Sequence, residues 1–160
     1  MSATAGLQLR RAAPADADLL LAWANDPETR AASFHPGRIE PEEHRSWLAT
    51  RLASTSTVLW IAELDGRPVG QVRLELEPDG VAEVGISVAP EARGRGVGRR
   101  LLGAAVSEAS RTLPVTAFLA RVRPDNGRSL ALFRAAGFLD DAQGLVDGVP
   151  CLELRARPQR

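Results

Sequence analysis

The spacing of hydrophobic and polar positions changes several times along the chain between the period of a strand and that of a helix. Alternating or continuous apolar runs predict strands at residues 7–10, 58–64, 71–77, 83–88 and 116–122, and a hairpin within 139–157. Helical spacing predicts helices at about 15–24, 40–54, 96–112 and 126–136, with Gly137 as the cap of the last. Asn25-Asp26-Pro27 ends the first helix, and a loop to Ile39 is expected to follow.

The order of these elements predicts an α+β fold with a mixed, mostly antiparallel sheet flanked by about four helices. Turn sequences at residues 65–68 and 78–80 join the middle strands as an antiparallel meander. The later strand–helix–strand segment then requires a crossover and a parallel strand pair. A chain of 160 residues has the size of one domain, so a single domain over residues 1–160 is expected.

The composition excludes several classes of function. Twenty basic and twenty acidic residues cancel, which disfavours nucleic-acid binding. Every basic residue is arginine, so a Schiff-base lysine is excluded, and no tyrosine can serve as an acid. The only cysteine, Cys151, permits no internal disulfide and is expected to be a small buried residue. With no long apolar run and no metal-ligand spacing, a cytoplasmic protein without membrane or metal is expected.

A glycine- and arginine-rich segment follows the third strand of the meander. Gly94, Gly96 and Gly98 allow successive N–H groups to converge just before a helix, an arrangement that binds phosphate. Arginines at positions 93, 95, 99 and 100 make the segment locally basic. It has neither the Gly-Lys-Ser/Thr of a Walker loop nor the Gly-x-Gly-x-x-Gly of a dinucleotide-binding unit. A phosphate-bearing ligand of another kind is expected.

Two motifs resemble those of the GNAT superfamily of N-acetyltransferases. Residues 93–98, Arg-Gly-Arg-Gly-Val-Gly, match its Arg/Gln-x-x-Gly-x-Gly/Ala motif. Residues 126–138 match its second segment, Asn-x-x-Ser/Ala-x-x-Leu-Tyr/Phe-x-x-x-Gly-Phe. The resemblance implies transfer of an acetyl group from acetyl-CoA, the co-substrate, to the amine of a small molecule. Dimers are common in such folds, and a homodimer stays open here.

The resemblance also implies where acetyl-CoA binds. Main-chain N–H groups of Gly94, Arg95, Gly96, Val97 and Gly98 would hold the pyrophosphate. Pantetheine would extend along the edge of the preceding strand, and the Val88 N–H would stabilise the thioester oxyanion. Further contacts are implied for Ser87, Ala89, Arg93, Arg99, Asn126, Ser129 and Phe133.

A base must remove a proton from the acceptor's ammonium group before it can attack the thioester. Glu83 is the leading candidate, because its carboxylate lies on the polar face of the strand that carries Val88. Glu75, Glu77, His35 and His44 are alternatives. Phe133 occupies the position where many relatives have a tyrosine acid, so water or no acid is expected to protonate the leaving thiolate.

The resemblance implies that the first helices and the loop between them wall the acceptor site. Its pattern of Trp, Asn-Asp-Pro, Arg and Ser-Phe, then Glu-His and Trp, resembles acetyltransferases of nucleotide-linked amino sugars and, less closely, those of ribosomal-protein N-termini. Aromatic faces would contact a sugar or base, and Arg30 and Arg38 a diphosphate. The residues of this expectation are Trp23, Asn25, Arg30, Phe34, His44 and Trp47. Core packing of the tryptophans and helix capping by Asn25 are the simpler interpretations.

These observations predict an N-acetyltransferase that acts on a small amine, with a nucleotide-linked amino sugar as the leading acceptor. The runner-up within the enzyme class is acetylation of protein N-termini. A non-catalytic module that only binds CoA is the alternative outside it.

Overall fold

The computed structural model of the protein describes residues 6–159, which form one seven-stranded sheet and five α-helices. The strands are β1 (Leu7–Arg11), β2 (Thr57–Leu64), β3 (Arg67–Leu76), β4 (Val81–Val88), β5 (Ala117–Val122), β6 (Leu139–Val146) and β7 (Val149–Ala156). The helices are α1 (Ala17–Ala24), α2 (Pro27–Ala32), α3 (Pro41–Ala53), α4 (Val97–Thr112) and α5 (Gly127–Ala135). Short 3-10 turns precede α1 and follow β4.

The sheet order is β1-β2-β3-β4-β5-β7-β6, with every adjacent pair antiparallel except β4 and β5. The α+β class, the meander β2–β3–β4 and the crossover through α4 are therefore as predicted. Among residues 6–159 no helix is long and apolar enough to cross a membrane.

Helix α2 corrects the sequence prediction, which placed a loop between Asn25 and Ile39. The Asp26 carboxylate accepts a hydrogen bond from the Thr29 N–H at 3.1 Å, and Pro27 occupies the first helical position. Asp followed by Pro is a favourable helix start. The apolar periodicity is too short to show it, because α2 has only six residues and none is buried.

The sheet opens between β4 and β5. These two strands pair only where Val81, Ala82 and Glu83 face residues 117–119. Beyond that point β4 continues to Val88 along β3, while β5 stays with β7. One edge of β4 is thus left without a strand partner over its last residues, and a gap opens in the middle of the sheet.

Helix α4 packs tightly against the sheet beside this gap. Leu101 and Leu102 are completely buried. A Cβ at Gly70 would lie 2.9 Å from the Leu101 side chain and 2.6 Å from the Ser87 carbonyl oxygen, so only glycine permits the approach. This packing fixes the start of α4 at the end of β4.

Candidate active site

The glycine-rich loop joins β4 to α4. Gly94 and Gly96 have φ angles of +78° and +73°, and Gly96 is the N-cap of α4. A Cβ at either residue would meet nothing within 4 Å, so the glycines are required by the backbone conformation and not by crowding. The curled main chain and the helix start together form an anion-binding site.

The arginines of this loop differ in their contacts. Arg95 and Arg99 are exposed, and no ion pair joins either to another described residue. The Arg93 guanidinium instead pairs with Asp26 at 2.8 Å and Glu28 at 2.7 Å, and donates to the Thr29 hydroxyl. The Arg93 side chain thus links the loop to α2, and its contact with CoA stays a prediction.

The electrostatics of Asp26 agree with this link. Burial raises the pKa of Asp26, but the hydrogen bonds from Arg93 and Thr29 outweigh burial and lower it. Asp26 is thus held as a carboxylate at neutral pH. The glycine loop and helix α2 are therefore connected by a charged, partly buried contact.

The free edge of β4 presents the main chain of Val88. The Ala89 N–H donates to the Val69 carbonyl at 2.8 Å, and Gly70 faces Val88 in the register. Hydrogen-bonded and non-hydrogen-bonded pairs alternate in an antiparallel ladder, so the N–H and carbonyl of Val88 point away from β3 into the gap. Ile86, two residues earlier, shares that direction.

Ala89 and Ser87 are placed differently from the expectation. The Ala89 N–H is used by Val69, its carbonyl accepts from Ala92, and the residue is fully buried outside the cavity. The main chain of Ser87 faces β3, while its hydroxyl accepts a hydrogen bond from Gln71 Nε2 at 3.0 Å. Ser87 therefore offers a side chain to the cavity, and Ala89 offers no contact.

Helix α5 borders the other side of the gap. The Asn126 side chain accepts from the Ser129 N–H at 3.2 Å and caps the helix, and both residues line the cavity. Phe133 lies below them, 3% exposed, with its ring edge-on to Phe138 at 5.0 Å. Gly137 ends the helix with a φ of +94°, as predicted from its position.

A single cavity of about 1320 Å³ connects these features. It extends from the glycine loop along the free edge of β4 to the helices α1 to α3. Of the residues expected at the coenzyme, Ala89 and Arg95 do not line it. Those that do are Ser87, Val88, Arg93, Gly94, Gly96, Val97, Gly98, Arg99, Asn126, Ser129 and Phe133.

Glu83 lies outside the residues that line the cavity. Its carboxylate forms an ion pair with Arg121 at 2.7 Å, and Arg121 also binds Glu153 at 3.1 Å. A carboxylate held in an ion pair outside the cavity is not positioned to reach an amine bound there. The geometry therefore argues against Glu83 as the general base. The Glu75 carboxylate is likewise engaged in ion pairs, because Arg73 and Arg51 approach it at 3.3 and 3.4 Å.

His44 is better placed for proton transfer. It lines the cavity, is 5% exposed, and its Nδ1 has no hydrogen-bond partner among the described residues. Its ring lies 5.5 Å from that of Trp47. Burial lowers the pKa of His44, so the imidazole is neutral at pH 7 and able to accept a proton.

Trp23 and Asn25 of the expected acceptor site have structural roles instead. Trp23 is 5% exposed, belongs to the core and does not line the cavity. The Asn25 amide donates to the Ile39 carbonyl and accepts from the Ile39 N–H, both at 2.8 Å. Asn25 thus fastens the end of α1 to the segment before α3.

The other expected acceptor residues, Phe34, Trp47, Arg30 and His44, line the cavity. Phe34 and Trp47 are half-buried in its wall. Arg30 donates to the carbonyls of Ala24 and His35, both at 2.6 Å, and so holds the loop after α2. Cys151 is buried elsewhere as expected, and burial raises the pKa of its thiol.

Sequence reasoning missed Gln71 and Arg73, which line the cavity from β3. The signal was present. Alternation places Gln71, Arg73 and Glu75 on one face of β3, opposite the buried Val72 and Leu74. This polar face is only partly exposed, and Gln71 and Arg73 border the cavity.

The chain matches one known protein family. Residues 7–139 match the family model described as an acetyltransferase (GNAT) domain, so the chain belongs to the GNAT acetyltransferase family. A search of curated protein sequences found no match.

Solved structures with a similar fold include three acetyltransferases. Spermidine N-acetyltransferase from Vibrio cholerae, in complex with CoA and spermine, has a TM-score of 0.84 at 18% identity over 96% of both chains. The aminoglycoside acetyltransferase AAC(6')-Ib, with coenzyme A and kanamycin, has 0.83 at 22% over 94% of both. RimL, a ribosomal α-N-protein acetyltransferase with CoA, has 0.82 at 17% over 95% of this chain and 94% of its own.

Proposed function

We propose that this GNAT acetyltransferase moves the acetyl group of acetyl-CoA to the primary amine of a small acceptor in one ternary complex, with a nucleotide-linked amino sugar as the leading acceptor. The observation that carries the proposal is the unpaired edge of β4, where the Val88 N–H points into a gap that ends at the glycine loop. The single unpaired cysteine fits a reducing compartment such as the cytoplasm.

Acetyl-CoA fits the residues on this side of the cavity. The N–H groups of residues 94–98 hold the pyrophosphate at the start of α4. Arg99 adds a cation with no acidic partner among the described residues, and Arg95 adds a second just outside the cavity. Pantetheine, an extended chain of amides, pairs with the free edge of β4 as an added strand does.

The reaction then needs few groups. The neutral amine attacks the thioester carbonyl, the C–N bond forms, the C–S bond breaks, and CoA leaves as its thiolate. The Val88 N–H donates to the oxyanion that develops on the carbonyl oxygen. One such donor typically contributes about 2.7–4 kcal/mol to transition-state stabilisation.

We assign removal of the amine's proton to His44 instead of Glu83. His44 is uncharged, lines the cavity and has an unpartnered Nδ1, whereas Glu83 is bound to Arg121 outside it. Water protonates the leaving thiolate, because Phe133 has no acidic hydrogen and a thiol with a pKa of about 8.5 leaves readily.

The two alternatives make different demands on the site. Acetylation of a protein N-terminus needs an open groove that admits an extended peptide. Here Arg30 and Arg123 bind main-chain carbonyls of residues 31–37 and hold that loop as a wall of the cavity, which favours a small acceptor. A non-catalytic CoA-binding module has no need for a neutral histidine and a polar acceptor wall beside the thioester.

A thiol-release assay with acetyl-CoA tests the proposal. The panel consists of amino sugars, their nucleotide conjugates, polyamines and short peptides, each paired with its N-acetylated form, which lacks a free amine. Release of CoA is expected with amino-sugar acceptors and not with their acetylated forms. Release only with peptides would favour the protein N-terminal alternative, and acetyl-CoA binding without release by any amine would favour the binding module.

A further inference from the structure

Arginine side chains dominate the charged surface of the cavity. Eight arginines but only two carboxylates, Glu28 and Glu43, are among the described residues that line it. Glu28 is already paired with Arg93 at 2.7 Å and with Arg128 at 3.2 Å. Glu43 is thus the only lining carboxylate without an ion pair to another described residue.

The carboxylates that pair with two of these arginines, Arg121 and Arg123, do not line the cavity. Arg123 binds Asp125, and Arg121 binds Glu83 and Glu153. None of these three carboxylates lines the cavity. A ligand therefore meets guanidinium groups more than carboxylates.

Arg73 lines the cavity from β3, the strand that pairs with the Val88-bearing strand β4. It faces Gly85 across the β3–β4 ladder, and its Nη2 lies 3.2 Å from the position of a Cβ on Gly85. Its guanidinium also lies 5.4 Å from the Trp47 ring. A Cβ at position 85 would crowd the guanidinium and require it to shift by a few tenths of an ångström.

The charge of Arg73 is incompletely balanced. Glu75 lies 3.3 Å away and Glu83 adds a weaker attraction, but Arg51 approaches the Glu75 carboxylate at 3.4 Å and Arg121 binds Glu83 at 2.7 Å. Partial burial lowers the pKa of Arg73, although the group stays charged. Both carboxylates near Arg73 are shared with another guanidinium, which leaves positive charge at the cavity wall.

Beside Arg73 lies a hydrogen-bond acceptor without a donor. Gln71 donates from its Nε2 to Ser87, while its buried Oε1 has no partner among the described residues. Such an atom is costly unless a donor reaches it. A ligand hydroxyl or amide hydrogen supplies that donor.

From these contacts we infer that the acceptor is an amine that also carries a phosphate or carboxylate, which binds Arg73, and a hydroxyl or amide hydrogen, which binds Gln71. This inference rests on the proposed function and specifies its substrate class. Gly85 precedes Val88 by three residues, about 10 Å along a strand. The anionic group therefore stands several bonds away from the reacting amine.

The same wall disfavours polycations. Spermine and kanamycin, present in two of the similar structures, carry several ammonium groups. A site selects against such ligands when like charges face them and few carboxylates are offered. Here the free carboxylate is Glu43 alone, at the exposed end of the cavity.

Calorimetric binding to the CoA-saturated protein tests the inference without requiring turnover. Two matched pairs differ only by an anionic group: glucosamine 6-phosphate against glucosamine, and 6-aminohexanoate against hexylamine. Spermine is the polycation. At least one anionic member is expected to bind at least tenfold tighter than its partner and than spermine, and the two pairs distinguish phosphate from carboxylate recognition.

Variants then locate the effect. The anionic advantage is the factor by which the anionic member of a pair binds more tightly than its partner. Arg73→Gln is expected to reduce this factor below threefold, and Arg73→Lys is expected to retain part of it. Arg67→Gln changes an exposed arginine on the same strand outside the cavity and is expected to retain all of it. If Arg73→Gln fails to fold, two other measurements test the inference. The anionic advantage should decline in Arg73→Lys, and it should decline with added salt.

Any one of four results would overturn the inference. They are equal binding within both pairs, absence of binding by either anionic amine, tightest binding of spermine, and an unchanged anionic advantage in Arg73→Gln. Turnover of neutral amines with equal efficiency would do so while leaving the proposed function intact. Selective binding of the anionic amine with no thiol release would instead remove the proposed function.

Discussion

The coenzyme side and the acceptor side of the cavity are built from different parts of the chain. On the proposed coenzyme side the features that we assign to binding are main-chain ones, the glycine loop and the free edge of β4. On the proposed acceptor side they are side chains, such as His44 and Arg73, that line the cavity from α3 and β3. Main-chain sites tolerate exchange of most side chains, so we expect specificity to depend on the few side chains of the acceptor side.

The largest effect is expected on the acceptor side, at His44. His44→Gln removes the proposed base and should lower kcat by about 10²-fold at neutral pH, the lower end for general-base catalysis. The matched variant Glu83→Gln should stay within about threefold, because Glu83 lies outside the cavity. Steady-state rates for both variants decide between the two residues, and the reverse order would restore Glu83 as the base.

The pH profile sharpens this test. Burial lowers the pKa of His44 below its ordinary value of 6.5. The imidazole is therefore neutral at any pH above the lowered pKa, and activity falls as the pH drops through that pKa. The inflection at the lowered pKa of His44 should vanish in His44→Gln. The rate of the variant should rise only at high pH, where free amine is abundant, so its deficit shrinks there, and a constant deficit at every pH would contradict the assignment.

On the coenzyme side the sensitive position is a backbone one. Gly96→Val places a β-branched residue at a φ of +73°, which costs about 1–3 kcal/mol of strain or moves the N–H groups of the loop. Acetyl-CoA affinity measured by calorimetry should fall by about 10- to 100-fold. Gly103→Val is the matched control, since Gly103 is exposed within α4 with nothing within 4 Å. Unchanged affinity of Gly96→Val would remove the loop from the coenzyme site.

The smallest effect is expected where the two sides meet. Phe133→Tyr adds a hydroxyl to a ring packed against Phe138, and the rate should stay within about fivefold because the thiolate leaves without an acid. The rate and the unfolding midpoint should be measured together, so that loss of packing is recognised. A rise of several hundredfold would show that the reaction needs an acid.

The sequence allowed the coenzyme side to be predicted in more detail because its signals are local. Glycines before a helix, and the capping Asn126, act within a few residues of each other. The acceptor side depends on contacts between distant segments, such as Arg93 with Asp26, 67 residues apart, and Asn25 with Ile39. The pairing of Glu83 with Arg121 likewise joins different strands, so neither this ion pair nor the place of Glu83 outside the cavity could be predicted.

Elements of the fold follow the same rule. The strands have clear alternation and were predicted close to their observed bounds, whereas α2 is short and half-exposed and was missed. Arg73 shows an intermediate case. Its position on a polar face was predictable, but its convergence with Trp47 depends on how α3 lies over the sheet.

The ion pairs of Arg93 with Asp26 and Glu28 connect the glycine loop to α2. If bound acetyl-CoA strengthens or weakens these ion pairs, the affinity for an acceptor that contacts α2 changes, and by linkage the acceptor changes the affinity for acetyl-CoA by the same factor. A single guanidinium thus offers a physical route for positive or negative cooperativity between the two substrates.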